Sequence, residues 1–193
     1  MAAGDVLEKM IRNLPFYETG GITATGGEPL LQLDFLTELF TLAKEKGIHT
    51  ALDTSGILFG HDKIDAYDRL MDVCDLVLLD IKHMDKKEHI HLTGAPNDSV
   101  FAFMDYLREK KKPVWVRHVI VPNITYKDEE LKALGTYLKN FENVERIDVL
   151  PYHTMGVVKY QALGDEYPLK DVPALNKEDA KRALEIINST RFN

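Results

Sequence analysis

The chain alternates β-like and helical runs five times, and that alternation limits the folds open to it. "GITAT" (21–25) reads as a strand. "DFLTELFTLAKEK" (34–46) reads as a helix, with Phe35, Leu36, Leu39, Phe40 and Ala43 on one face and Gly47 as its stop. "IHTALDT" (48–54) is a second strand and "DKIDAYDRLMDV" (62–73) a second helix. "LVLLDIK" (76–82) is almost wholly apolar, the pattern of a strand buried on both faces. Val100, Phe103, Met104 and Leu107 mark the next helix, with Pro113 beyond its end. "VWVRHVIV" (114–121) is a strand of β-branched and aromatic residues. "TYKD" (125–128) has the form of a capping box, with Thr125 as N-cap of a helix reaching about Asn140. "RIDVLPY" (146–152) is a fifth strand, and an irregular segment spans 153–175. Asn176 then caps a last helix with Ala180, Ala183, Leu184 and Ile187 on one face.

Strands separated by helices predict a parallel sheet with right-handed crossovers and outer helices. An open doubly wound sheet and an arc of a (β/α) barrel both satisfy this, and both collect functional groups at the C-terminal ends of the strands. The polar residues follow that rule. The first strand ends in Gly26, Gly27 and Glu28, and the second in Asp53, Thr54 and Ser55. The third ends in Asp80 and Lys82, two apart and so on one face, and the fifth in Tyr152 and His153. Arg117 and His118 sit mid-strand, and only one of them can face inward. Singly, each has a structural role open to it: Asp53 or Ser55 as a cap, Asp80 with Lys82 as an internal ion pair. Their convergence at one end is what argues for a site. Glycines there let a ligand approach the main chain. Glu28, Asp53 and Asp80 set against Lys82 and Arg117 suit a zwitterionic ligand.

A net charge of -7 argues against a nucleic-acid binder. The basic run "REKKKP" (108–113) fits a helix C-terminus instead. No apolar run approaches the roughly 20 residues of a membrane span. The lone cysteine, Cys74, leaves no disulfide framework and suits a reducing, cytoplasmic setting; it reads as an inert buried thiol.

"TATGGEPLLQ", "HTALDTSG", "DLVLLDIKHM", "VWVRHVIVP" and "VLPYHTMG" together resemble, in order and spacing, the radical S-adenosylmethionine activating enzymes of glycyl radical enzymes. The resemblance runs from about residue 5 to 188 and is nearest to the pyruvate formate-lyase branch. It implies a partial (β/α) barrel whose first strand and loop carry CxxxCxxC, three thiolates that hold a four-iron four-sulfur cluster. It implies S-adenosylmethionine on the open iron, reductive cleavage, and hydrogen abstraction from a partner's backbone glycine. The implied partners are a glycyl radical enzyme, pyruvate formate-lyase first, and reduced flavodoxin or ferredoxin as electron donor. By position, Gly26, Gly27 and Glu28 should line the methionine end of the cofactor. Asp53 and Ser55 should join them. Asp80, Ile81 and Lys82 should touch it from the third strand and His153 from the fifth. Arg117 should lie near the methionyl carboxylate or the partner's glycine loop. Asp53, Thr54, Asp80 and the backbone of Leu78 match the family's monovalent-cation site, with leucine where its best-known member has methionine.

One departure stands out. With a single cysteine the chain has no CxxxCxxC. It therefore reads as strands two to six of the barrel, with "MAAGDVLEKM" as the helix after the absent cluster loop, inactive by itself. The strand edge beside "GITAT" is then expected to invite pairing with another chain. Two other readings remain: a cluster-free binding or scaffold protein for a glycyl radical enzyme, and a (β/α) aldolase or phosphate-binding enzyme. In the latter Lys82 would be the nucleophile and Gly26–Gly27 a phosphate cradle.

Overall fold

The computed structural model describes residues 1–12, 20–154, 164, 166–167, 169 and 171–192. Its strands are β1 (Gly21–Ala24), β2 (His49–Thr54), β3 (Leu76–Asp80), β4 (Val114–Ile120) and β5 (Val144–Pro151). Its helices are α1 (Ala3–Ile11), α2 (Leu33–Glu45), α3 (Ile64–Val73), α4 (Lys86–Thr93), α5 (Asp98–Glu109), α6 (Asp128–Leu138) and α7 (Lys177–Arg191). All the strand pairs are parallel and the order is β1-β2-β3-β4-β5. A doubly wound sheet reverses direction partway. Here each right-handed crossover advances the same way, which puts the helices on one face. The sheet is thus an arc of a barrel, with a helix-covered outer face and an open inner face.

The outer face is mainly apolar, with Thr50, Thr54 and His118 as its buried polar residues. Leu52, Val77, Leu79, Val116 and Ile120 are buried there with Phe40, Leu70, Phe103, Leu107, Leu131 and Leu134 of the helices. Full burial of each such side chain contributes about 1.5–3 kcal/mol before entropy is counted. The inner face holds Thr23, Ala51, Asp53, Leu78, Asp80, Trp115 and Arg117, by alternation and by the register Asp53↔Leu78, Leu78↔Trp115, Asp80↔Arg117. Arg117 and His118 divide as alternation demands: Arg117 faces inward and His118 is fully buried behind the strand.

Local signals explain several element ends. After α2, Gly47 at φ +69° lets its amide reach Lys44 O while Ile48 N reaches Ala43 O, a Schellman closure. Asn176 caps α7 by accepting from Glu178 N and Asp179 N. The basic run serves structure: Lys112 Nζ donates to Met71 O and Cys74 O at the end of α3. Gly135 lets α6 and α7 approach, since a β-carbon there would stand 2.1 Å from Thr190 Oγ1.

Two expectations need correction, and one helix was not anticipated. Thr125 does not cap α6, whose N-cap position is Lys127 with no side-chain bond. The Thr125 hydroxyl is buried, donates to Val119 O and accepts from Val121 N, so it pins the turn after β4. The third strand ends at Asp80, which leaves Lys82 in the following loop. Helix α4, unread in the sequence, is closed by Asp85 at its N-cap and by Gly94 at φ +81°. Part of the segment 153–175, with Met155 and Gly156 of the fifth motif, lies outside the described residues. No described helix is long and apolar enough to cross a membrane.

Candidate cofactor site

At the C-terminal ends of β1 to β4, a cavity of about 310 Å³ is lined by Thr25, Gly26, Gly27, Glu28, Asp53 and Thr54, with Ser55, Asp80, Lys82 and Arg117 completing it. Gly26 has φ +128°, which an L side chain rarely adopts. A β-carbon on Gly27 would meet nothing within 4 Å. No neighbour demands glycine there, so the remaining benefit is an open main chain facing the cavity.

The floor is a chain of alternating charges. The Asp53 carboxylate accepts from Thr25 Oγ1 (3.1 Å) and Arg117 Nη1. Arg117 Nε lies 3.6 Å from Asp80 Oδ1, and Lys82 Nζ is 2.7 Å from Asp80 Oδ2. These side chains keep 18–33% exposure, so they are neither free in water nor sealed from a ligand. Asp80 Oδ1 is buried without a hydrogen-bond partner among the described residues. Its Arg117 neighbour is beyond hydrogen-bond reach, and a buried acceptor without a hydrogen bond is costly and has room for a further donor or cation.

Glu28 is placed differently from its neighbours. Its Oε1 accepts from Leu30 N (3.1 Å) and Thr54 Oγ1 (2.5 Å), and its Oε2 from Ser55 N (3.0 Å) and Ser55 Oγ (2.5 Å). The carboxylate staples the glycine turn to the end of β2 and starts the 3₁₀ turn Pro29–Gln32. The Thr54 hydroxyl is engaged in this staple: it donates to Glu28 and accepts from Gly56 N. The Ile81 side chain is 1% exposed and packs among the helices; its amide donates to Arg117 O and its carbonyl accepts from His118 Nδ1. Leu78 lines another cavity, lower on the inner face.

A second, more apolar cavity of about 420 Å³ shares Lys82 and Arg117 with the first. Its walls include Leu92, Val119, Leu150, Tyr152 and His153. Each cavity falls in the range of roughly 300–1,000 Å³ usual for small-molecule sites. The sequence reading missed Thr25, Leu92 and Val119. The alternation Thr23, Thr25 would have found the first, and α4 had to be seen before Leu92 could be placed.

The donors fit one cofactor and not another. A zwitterionic amino-acid group fits the mixed charges, the open glycines and the Asp80 oxygen that no hydrogen bond satisfies. An iron–sulfur cluster does not. Cys74 is at the opposite end of β3, buried, with its thiol donating to Leu76 O and pushed up to about 12 by burial. Among the described residues no group of three or more His, Cys, Asp and Glu side chains can hold a metal ion. A phosphate cradle is disfavoured by three carboxylates at the glycine turn, and a nucleophilic Lys82 by its ion pair with Asp80.

The model of the radical SAM superfamily matches residues 3–134. A pyruvate formate-lyase-activating enzyme of Streptococcus mutans is 46% identical over 193 residues, covering 98% of this chain and 73% of that protein. One from Listeria monocytogenes is 43% identical, covering 99% and 79%. Among solved structures, a domain of a pyruvate-formate lyase-activating enzyme from Bacteroides vulgatus superposes with a TM-score of 0.72 at 25% identity, covering 89% of this chain and 94% of that one. A family match over most of the chain, two relatives above 40% identity and a shared fold agree: the chain belongs to the radical SAM superfamily and, within it, to the pyruvate formate-lyase-activating enzymes.

Proposed function

We propose that these residues form the S-adenosylmethionine half of a glycyl-radical-activating enzyme. The observation that carries the reading is the Asp53–Arg117–Asp80–Lys82 charge chain beside two open glycines. In this reading the polar cavity takes the methionyl group. Arg117 and Lys82 receive its carboxylate, and Asp53, Asp80 and the main chain at Gly26 and Gly27 receive its ammonium. Glu28 and Ser55 hold that wall in place. Val119 and Leu150 shield the adenosyl end from water, with His153 at its edge.

A monovalent cation at Asp53, Thr54, Leu78 and Asp80 belongs to the same proposal. Asp80 Oδ1, which accepts no hydrogen bond among the described residues, supports it. With the Thr54 hydroxyl engaged by Glu28, Thr54 and Leu78 would contribute backbone carbonyls. Replacing potassium by choline in the buffer should then weaken S-adenosylmethionine binding.

The complete activity proposed is reductive cleavage of S-adenosylmethionine with removal of a hydrogen from a backbone glycine of pyruvate formate-lyase, reduced flavodoxin or ferredoxin giving the electron. One cysteine among 193 residues cannot supply three thiolates, so the cluster ligands have to come from other residues. Anaerobic incubation of the 193-residue chain with ferrous iron, sulfide and S-adenosylmethionine tests this. The expected result is no stoichiometric cluster absorbance and no methionine release. A stoichiometric cluster that releases methionine would overturn it.

A further inference from the structure

The loop that carries Lys82 is held from behind by buried polar side chains that touch neither cavity. Ile81 O accepts from His118 Nδ1 (2.7 Å) on β4. Asn97 Nδ2, at the start of α5, donates to both His83 O and Met84 O (3.0 Å each). Glu130 in the first turn of α6 accepts Met84 N–H at 2.6 Å through Oε1, and its Oε2 lies 3.4 Å from His83 Nδ1. His83 Nδ1 also accepts Asp85 N–H at 3.0 Å. One nitrogen cannot accept from the amide and donate to the carboxylate at once. The shorter, backbone bond makes it an acceptor. His118, Asn97, His83 and Glu130 are 0%, 3%, 6% and 8% exposed.

A buried carboxylate is expensive and is tolerated where its hydrogen bonds leave something fixed. The α6 N-terminus offsets part of that cost. What Glu130 fixes is the turn out of β3. Lys82 is one of two side chains shared by both cavities, so its placement orients any ligand that spans them.

We propose that Glu130 is a positioning residue for the cofactor site: through the Met84 N–H it sets the loop that presents Lys82. The inference rests on the reading that Lys82 faces S-adenosylmethionine, and adds a residue about fifty positions along the chain that never touches the cofactor.

The test is a titration of S-adenosylmethionine into the 193-residue protein, with acetic-anhydride labelling of Lys82 read by mass spectrometry without cofactor. Glu130→Ala should weaken binding about tenfold and speed Lys82 acetylation. Glu130→Gln, whose amide oxygen still accepts Met84 N–H, should stay within about twofold. Leu134→Ala, buried on the same helix, should lower Tm and leave both readouts unchanged. Should Glu130→Ala not fold, Asn97→Ala frees His83 O and Met84 O and carries the same expectation. Unchanged affinity and labelling in Glu130→Ala, with a lower Tm, would reduce Glu130 to a structural role and overturn the inference. Unchanged affinity in Lys82→Ala would instead sink the reading of the site, while the labelling rates still decide the positioning claim.

Discussion

The two ends of the sheet offer unlike cavities, and the larger one has the weaker claim to chemistry. At the N-terminal ends of the strands, a cavity of about 550 Å³ is lined by residues such as Gly21, His49, Asp75, Leu78, Trp115 and Glu145. Its inward carboxylate is already employed: Asp75 accepts from Lys44 Nζ, Thr50 N and Thr50 Oγ1 and ties α2 and β2 to the start of β3. Its glycine is a packing glycine, since a β-carbon at Gly21 would stand 2.2 Å from His49 O. At the C-terminal ends the cavity is smaller, its glycines face open space, and Asp80 Oδ1 accepts no hydrogen bond among the described residues. Volume alone does not single out a site. What distinguishes the two ends is whether polar groups are left with work to do.

That contrast can be broken or sharpened by substitution. The largest effect belongs to His118, behind the site. Burial pushes its imidazole from 6.5 down to about 4, so the folded ring is neutral while the unfolded ring takes up a proton first. Its stability contribution is complete above pH 6.5 and shrinks by about 3 kcal/mol as pH falls to 4. His118→Gln, which keeps a donor for Ile81 O, should flatten that part of the urea-midpoint profile. Glu130, pushed up by burial, works in the opposite sense, but it is common to both proteins and cancels in the comparison. An unaltered profile would show that the ring is not buried behind the site.

Next, Gly21→Ala should cost about 2 kcal/mol by forcing β1 off β2, with S-adenosylmethionine affinity unchanged. A loss of affinity without loss of stability would erase the distinction between the ends. The smallest effect is at Asp75. Burial acts to raise its carboxyl, but Lys44 and the Thr50 amide outweigh it and leave it below the usual range. Its contribution is present at neutral pH and disappears only as pH drops below the ordinary carboxylate range. Asp75→Asn should cost about 1 kcal/mol at pH 7, because the Lys44 partner is partly exposed. The two ends of the sheet should therefore lose stability in separate acid windows.

Much of this was legible in sequence because it is local or periodic. Gly47 and Asn176 mark helix ends through their own backbone preferences. The period of two also required Arg117 and His118 to face opposite ways, but which of them faces inward came only from the register with Asp80. Thr125 was misread because the hydroxyl that can cap a helix pins a turn equally well, and only tertiary packing decides. Helix α4 escaped notice because "KKEHIHLT" has no apolar stripe; Asp85 and Gly94 were its only signals. The Glu28 staple was invisible because its partners, Thr54 and Ser55, are 26 and 27 residues away. The same distance problem hid Glu130, 46 residues from Met84.

The central claim is that S-adenosylmethionine binds at the C-terminal ends of the strands. Its most direct test is a titration of S-adenosylmethionine into the ¹⁵N-labelled 193-residue chain, followed by amide chemical shifts. Binding there should give saturable shifts at Gly26, Gly27, Ser55 and Lys82, with Gly21, His49 and Leu76 unmoved. Saturable shifts confined to Gly21, His49 and Leu76, or none at either end, would contradict it.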